Sequence, residues 1–250
     1  MALNYSPLRT LFNNKKEKKM EQLTTEQRTY DWYKARFGMF TASEVHKLMG
    51  KTDMNKSKNG EAVFGDTAMS YIYRIASERK MLYNGMWDSM TDEEKDNFIR
   101  TQYASNNAMR WGTEHEDMAR NRFAFETGKM ITEVGSCINT RMMCLSASPD
   151  GVIEEEDALV EIKCPSLETF ARYSDRIHDN LSLLEEKPEY YWQIQTQLWV
   201  TEKKLCYFVW YHPYVGLQYT TIVPDENNTN VMLDRIKSAK ELAQRIYQKL

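Results

Sequence analysis

The sequence predicts a single α/β domain in which one central mixed β-sheet is flanked by helices. Its 250 residues are 42% hydrophobic, which suffices for one well-packed core. Strand-like segments cluster between about residues 130 and 223, and helical periodicity is found before, between and after them. The chain contains no internal repeat. We therefore predict one domain over residues 25–250, preceded by a flexible, Lys-rich arm over residues 1–24.

Caps and apolar spacing indicate where the helices lie. Thr41 and Glu44 fit a capping box that opens a helix ending near Met49. Thr91 and Glu94 fit a second capping box, at the start of a polar helical segment. Apolar periodicity predicts the other helices over residues 61–79, 108–127, 167–177 and 189–201.

The strands follow from short apolar runs that are bounded by turn residues. They are predicted over residues 130–138, 142–148, 151–154, 158–164, 204–211 and 217–223. Residues 51–60, rich in Lys, Asn and Gly, predict a loop. Asp225 or Asn228 caps a final amphipathic helix, whose apolar side is formed by Val231, Ile236, Ala239, Leu242 and Ile246.

Bulk composition narrows the classes of function. A formal net charge of −3 argues against a generic DNA-binding protein, because phosphate contacts depend on Lys and Arg. It argues less against a metal-dependent nuclease, since Mg²⁺ offsets the carboxylates that hold it. No bilayer-length apolar run or signal peptide is visible, so we expect a cytoplasmic protein. Single cysteines without a Cys-x-x-Cys pair predict reduced core residues rather than a zinc or iron–sulfur site: Cys137, Cys144, Cys164 and Cys206.

The most informative motif is a Pro-Asp-Gly turn followed by a Glu-Ile-Lys strand. Strand side chains alternate between faces, so Glu161 and Lys163 point the same way while Ile162 points into a core. An antiparallel pairing of the two segments places Asp150 beside Glu161. Two carboxylates next to an ammonium group form a site for Mg²⁺-assisted attack on a phosphodiester. This motif predicts a nuclease.

Each half of that motif alone is common, because most Asp-Gly pairs are only turns and Glu-Ile-Lys fits any half-exposed strand. Agreement among four segments carries more weight. In this order they resemble the phage lambda exonuclease and viral recombinase family of the restriction-endonuclease-like nuclease superfamily. The segments span most of the chain and are Trp32–Val45, Trp111–Arg120, Ser146–Pro165 and Tyr191–Thr201.

The resemblance implies a restriction-endonuclease-like core and a set of catalytic residues. Asp150 and Glu161 would hold Mg²⁺, with Mn²⁺ as a substitute, and the backbone carbonyl of Ile162 would add a ligand. Lys163 would be the catalytic lysine, as a general base or as an electrostatic anchor. Gln193, in the Tyr-x-Gln helix, falls at the position of the family's active-site glutamine.

Glu116 is a further candidate on the predicted 108–127 helix. It shares a stripe with Met109, Ala119 and Phe123, which turns its carboxylate towards the interior. No basic partner was identified on that stripe, so the buried acid requires a metal or a positive group. An ion pair with a residue from elsewhere satisfies the same requirement. By resemblance, Glu116 would bind a second metal or orient water.

A second group of residues is expected to bind a terminal phosphate. Ser43 lies near the predicted helix N-terminus at Thr41, where free backbone amides favour an anion, and Arg36 adds a bidentate partner. The resemblance implies that Arg36 and Ser43 bind the 5′-phosphate of the digested strand, with Ser148 also in contact. Without the family resemblance, the sequence agrees equally well with Ser43 as part of a helix cap and Arg36 as a surface residue.

The chain also departs from the family pattern. The family has an aspartate upstream of the Pro-Asp-Gly turn, and this chain has Thr140 and Arg141 near that place. The family also has a basic residue soon after the position of Pro165, which is missing here, and Arg172 is the candidate substitute. Residues 81–107 are predicted to be a helical insertion.

The sequence therefore predicts a Mg²⁺-dependent exonuclease of phage type that acts on double-stranded DNA ends. The resemblance implies a ring-shaped homotrimer, a phage single-strand-annealing protein as partner, and 3′ overhangs as product. Two alternatives remain: a structure-specific or restriction-like endonuclease on the same core, and a DNA-end-binding recombination accessory protein with a decayed active site.

Overall fold

The computed structural model describes residues 20–22, 26–50, 64–103 and 106–250. The predicted loop at residues 51–60 and most of the predicted N-terminal arm therefore lie outside the described residues. Within that arm, Met20–Gln22 form a strand, β1. None of the helices in the described ranges combines the length and the hydropathy that a bilayer crossing requires.

Helices and strands follow one another in groups along the described chain. The helices are α1 (Tyr30–Arg36), α2 (Asp66–Tyr83), α3 (Met86–Ser89), α4 (Asp92–Gln102), α5 (Asn107–Thr127), α6 (Leu167–Arg176), α7 (Asn180–Glu186), α8 (Pro188–Thr201) and α9 (Glu226–Tyr247). The strands after β1 are β2 (Phe40–Thr41), β3 (Cys137–Asn139), β4 (Leu145–Ala147), β5 (Gly151–Ile153), β6 (Ala158–Lys163), β7 (Leu205–His212) and β8 (Gly216–Ile222).

The predicted α/β class is confirmed, but the strands form two mixed sheets rather than one. The first sheet has the order β1-β3-β4-β2, and only its β2–β4 pair is parallel. The second has the order β5-β6-β7-β8, in which only β6–β7 is parallel. The two sheets are divided between β4 and β5, because Pro149 in this link has no amide hydrogen with which to continue the hydrogen bonding between strands.

The predicted helix from Thr41 to Met49 is wrong. Thr41 belongs to β2, and only Val45–Leu48 turn helically, as a short 3₁₀ segment. The Glu44 carboxylate binds Arg74 of α2 and the Lys47 ammonium instead of reaching back to cap Thr41. Ion pairs with two cations and a strand pairing thus outweigh the local capping signal.

Other predicted elements needed smaller corrections. The second capping box is confirmed, since Thr91 and Glu94 exchange both bonds at the start of α4. Asp225, not Asn228, caps α9. The predicted strand over residues 130–138 is reduced to β3, and α7 was missed because it is only seven residues long and buries only Leu183.

Helices cover both faces of the second sheet. Nine of the fourteen residues of α8 are buried, because this helix packs against β3, β4 and β7 and so joins the two sheets. On the opposite face, α5 packs Ala119 and Phe123 against Val160, Ile162 and Val209. Glu161 alternates with those β6 residues and therefore faces α8.

Within residues 81–107, which were predicted to be a helical insertion, Met86–Ser89 and Asp92–Gln102 form helices that pack against the rest of the fold. Trp87 of α3 is 2% exposed and lies edge-on to Phe37, with ring centroids 4.7 Å apart. Phe98 of α4 contacts both rings. Because Phe37 directly follows α1, this aromatic cluster fixes the end of α1.

Trp87→Ala is expected to lower the free energy of unfolding by about 3–5 kcal/mol, because it leaves a cavity in this aromatic cluster. Met86→Ala, on the same short helix but 49% exposed, is the matched control and should cost about 0.5 kcal/mol or less. Urea unfolding measures both values. Similar values for the two variants would show that α3 does not support the domain.

Candidate active site

The β5–β6 hairpin brings the predicted acids together. Gly151 pairs with Val160, and the Asp150 amide donates to the Val160 carbonyl at 3.1 Å. The Ile162 amide donates to Oδ2 of Asp150 at 2.7 Å, which orients that carboxylate. A Cβ at Gly151 would lie 2.3 Å from a methyl of Ile131, so the turn needs glycine. The hairpin predicted from the sequence is confirmed.

Glu161 is the most buried charge of the site, with a side chain 1% exposed. Its Oε1 accepts from the Lys163 ammonium at 2.5 Å and from Nε2 of Gln193 at 2.6 Å. Its Oε2 accepts from Nε2 of Gln197 at 2.6 Å. The two glutamines lie one turn apart on α8, so this helix supplies two of the three donors.

The electrostatics of the site reflect crowded negative charge. Burial raises the pKa of Asp150 well above its usual value, and the nearby charges of Glu161 and Glu116 raise it further. Burial would lower the pKa of Lys163, but the charges of Glu161 and Asp150 outweigh this effect and raise it. Lys163 is therefore an ammonium ion, and the carboxylates favour a further cation beside them.

The oxygen atoms of the site suit a hard divalent cation. Asp150 has no hydrogen bond to Oδ1 among the described residues, and Glu161 Oε2 accepts only one. Carboxylate and carbonyl oxygens are the ligands that Mg²⁺ takes in proteins. Within the described ranges, no group of three or more His, Cys, Asp or Glu side chains could hold a metal ion. The two acids, with the Ile162 carbonyl predicted beside them, are the candidate ligands.

Glu116 faces the interior, as predicted, with a side chain 14% exposed. The interpretation that its stripe lacks a basic partner is wrong, because Arg120, four residues later, donates to Oε1 at 3.0 Å. Arg28 donates to Oε2 at 2.6 Å. The charge of Glu116 also raises the pKa of Asp150, so it lies close enough to influence the site. Its role as a metal ligand stays a prediction.

Arg120 is a residue of the site that sequence analysis missed. It is 8% exposed, and its Nε donates to the backbone carbonyl of Asp150 at 3.1 Å. Its other nitrogens contact Glu116, Asp117 and Glu133. Arg120 thus ties α5 to the turn that carries Asp150. The spacing of four residues from Glu116 was the signal that could have identified it.

The expected phosphate-binding residues also come together. The Arg36 guanidinium donates to Oγ of Ser148 at 3.0 Å and to Oγ of Ser43 at 3.5 Å. The parallel β2–β4 pairing, with Thr41 opposite Ser146, brings Ser43 alongside Ser148. The helix N-terminus predicted at Thr41 does not contribute, because Thr41 is in a strand. Side chains, rather than a helix end, form this pocket.

Arg36 is held in place without a carboxylate partner among the described residues. Trp32 stacks its ring 4.1 Å from the guanidinium and donates to Ser148 at 3.2 Å. Burial lowers the pKa of Arg36. Gly38, with φ of 72°, turns the chain after α1, and α2 binds both its amide and its carbonyl. A guanidinium fixed in this way is prepared to receive an anion.

The expected phosphate-binding residues and the two glutamines that bind Glu161 line one cavity of about 130 Å³. Arg36, Ser43 and Ser148 line one part of it, and Gln193 and Gln197 line the part next to Glu161. Ser148 and Asp150 lie two residues apart on the link between β4 and β5. An anion on Arg36 would therefore lie beside the acidic site.

The residues at which the chain departs from the family pattern have other roles in the structure. Arg141 pairs with Glu202 at 2.5 Å and stacks on Trp199, so its charge is used there. Ser166 caps α6, which explains a serine after Cys164-Pro165. Arg172 is exposed on the same helix.

Buried carboxylates, a lysine and a glutamine around a β-hairpin of a mixed sheet define a restriction-endonuclease-like nuclease core. The chain belongs to the YqaJ-like viral recombinase domain family, whose model matches residues 31–204. The resemblance to phage exonucleases is thereby confirmed.

Solved structures agree with this assignment. An alkaline exonuclease from Laribacter hongkongensis is 26% identical, with a TM-score of 0.66 over 88% of this chain and 95% of the other. The same exonuclease in complex with dAMP gives 26% identity and a TM-score of 0.67 over the same shares. A phage related exonuclease from Haemophilus somnus 129PT shares the fold, at 17% identity and a TM-score of 0.55 over 84% and 94%. No curated protein matches the chain.

Arg120→Met is expected to lower the free energy of unfolding by about 1–3 kcal/mol, because it removes one of the two cationic partners of Glu116 and leaves the Asp150 carbonyl without this donor. Arg122→Met is the matched control on α5, since its pair with Glu126 is exposed and contributes about 0.5 kcal/mol or less. Guanidinium denaturation followed by tryptophan fluorescence measures both. Equal losses of unfolding free energy in the two variants would mean that the ion pairs of Arg120 stabilise the fold no more than an ordinary surface ion pair does.

Proposed function

We propose that this protein is a Mg²⁺-dependent DNA exonuclease. It digests the 5′-phosphorylated strand of linear double-stranded DNA and leaves 3′ overhangs for recombination. The observation that supports this proposal best is the single cavity shared by Arg36, Ser43 and Ser148 and by the glutamines beside Glu161. A phosphate-binding group next to an acidic hydrolytic site is the arrangement that an end-dependent nuclease needs.

The acidic site carries the hydrolysis in this proposal. Asp150 and Glu161 would hold Mg²⁺, which when bound would supply a Lewis acid for the phosphodiester and for an attacking water molecule. Lys163 keeps its proton beside the two acids and stabilises the negative charge that develops on the phosphate. Gln193, bound to both Lys163 and Glu161, orients the lysine.

The Arg36 pocket selects the end of the strand. A terminal phosphate carries more charge than an internal one and accepts a bidentate bond from a guanidinium and bonds from both serine hydroxyls. Trp32, stacked on Arg36, holds the guanidinium in this pocket. Locally placed cations explain how a chain of net charge −3 binds DNA.

We further propose the partners that the family resemblance implies. The protein would act as a homotrimer around DNA in the cytoplasm of a bacterial host and pass its 3′ overhang to a phage single-strand-annealing protein. The name of the matching family, a viral recombinase domain, supports a role in recombination.

The alternatives find less support. An endonuclease on this core has no need for a pocket that holds a terminal phosphate. A decayed accessory protein has no need to keep Asp150, Glu161 and Lys163 in hydrogen-bonded positions.

The proposed activity predicts which DNA is digested. With MgCl₂, linear duplex DNA carrying one 5′-phosphate and one 5′-hydroxyl end should lose the phosphorylated strand, while a closed circle stays intact. EDTA and Lys163→Ala should abolish digestion. Strand-specific end labels on a denaturing gel measure the products. A cut circle would favour the endonuclease, and tight end binding without digestion would favour the accessory protein.

Arg36→Met should reduce the preference for 5′-phosphorylated over 5′-hydroxyl ends by about 10–100-fold, since hydrogen bonds to charged groups contribute about 1.5–3 kcal/mol. Lys34→Met, on the same helix but paired with Asp88 at the surface, should leave the ratio unchanged. The ratio of initial rates on the two substrates cancels general DNA affinity. An unchanged ratio in Arg36→Met would exclude this pocket as the selector.

A further inference from the structure

We propose that Gln197 is a positioning residue of the metal site, which fixes the Glu161 carboxylate for the cation. This inference rests on the proposed metal-dependent nuclease and assigns a role to a residue outside its catalytic set. Gln197 is fully buried on α8 and donates from Nε2 to Oε2 of Glu161 at 2.6 Å.

The hydrogen bonds of Glu161 indicate where a cation can bind it. An ionised carboxylate offers about four acceptor directions, two on each oxygen. Lys163 and Gln193 use both directions of Oε1, and Gln197 uses one of Oε2. The direction that remains is on Oε2, the oxygen that Gln197 holds. Loss of the Gln197 donor would therefore free the carboxylate to rotate and weaken its contact with the cation.

A comparison within α8 separates this role from ordinary packing. Gln195 is also buried, and it is satisfied at both ends, by the Val223 carbonyl and the Asp225 amide. Gln197 is satisfied only at Nε2, and its buried Oε1 has no partner among the described residues. An unpaired buried acceptor destabilises a fold. A side chain that only supported the fold would pair both ends, as Gln195 does.

The location of Gln197 supports the same role. It lines the cavity together with Gln193 and the Arg36 pocket, and it is the only one of these residues that binds Oε2. Partners that orient a metal-binding carboxylate commonly change metal affinity or activity about 10–100-fold when removed.

The test compares three variants of the full chain: Gln197→Met, Gln197→Asn and Gln195→Met. Methionine keeps the volume without a donor, and asparagine keeps the amide but is one methylene too short to reach Oε2. For each variant, Tm and the rate of linear-duplex digestion are measured against MgCl₂ concentration. Binding of Mg²⁺ to the folded state raises Tm, which reports binding without catalysis.

Both Gln197 variants should need about 10–100-fold more MgCl₂ for half of the Tm rise and for half-maximal digestion. Saturating MgCl₂ should restore most of the digestion rate. Gln195→Met should have a lower Tm without MgCl₂ but an unchanged MgCl₂ midpoint. If Gln197→Met does not fold, Gln197→Asn alone decides the result.

Unchanged MgCl₂ midpoints in the folded Gln197 variants would overturn the inference. A lower Tm together with an unchanged MgCl₂ midpoint, as expected for Gln195→Met, would show that Gln197 has a structural role only. If the unaltered protein shows neither a Tm rise with MgCl₂ nor digestion, the proposed function itself fails, and the inference fails with it. The unaltered protein therefore distinguishes the two failures.

Discussion

The buried charge of Glu161 is the constraint on which the rest of the site depends. A carboxylate that is 1% exposed is costly unless donors surround it, and it obtains them from Lys163 on its own strand and from two glutamines on α8. α8 must therefore present one particular face to Glu161. Because the same helix also packs on β3 and β4, the requirement of one carboxylate fixes how the two sheets meet.

The link between β4 and β5 relates the two halves of the cavity. Ser148 binds Arg36, and Asp150, two residues later, belongs to the acidic site. Pro149 between them restricts the backbone, and Arg120 holds the Asp150 carbonyl. The separation between the proposed phosphate pocket and the proposed hydrolytic site is therefore set by a short, restrained segment, as the proposed end-dependent nuclease requires.

Sequence analysis succeeded where the signal is local and failed where distant segments compete. The alternation of β6, the β5–β6 hairpin, and the helices at residues 107–127 and 188–201 follow from patterns within each segment. Thr41 was misassigned to a helix because β2 pairs with β4, about a hundred residues away, and Glu44 pairs with Arg74. The division into two sheets likewise depends on pairings that no single segment encodes.

The sequence by itself predicted the candidate acids Asp150 and Glu161 and the candidate lysine Lys163, because motif spacing and strand alternation are local properties of the chain, and the family resemblance added Gln193. Tertiary structure alone decided that Arg120 supports the Asp150 turn and that Gln197 reaches Glu161 and Gln195 does not. It also decided that the glutamines beside Glu161 share a cavity with Arg36. The physical reason is that a hydrogen bond to a buried charge depends on where another element packs. That position results from the core as a whole rather than from the few residues that make the bond.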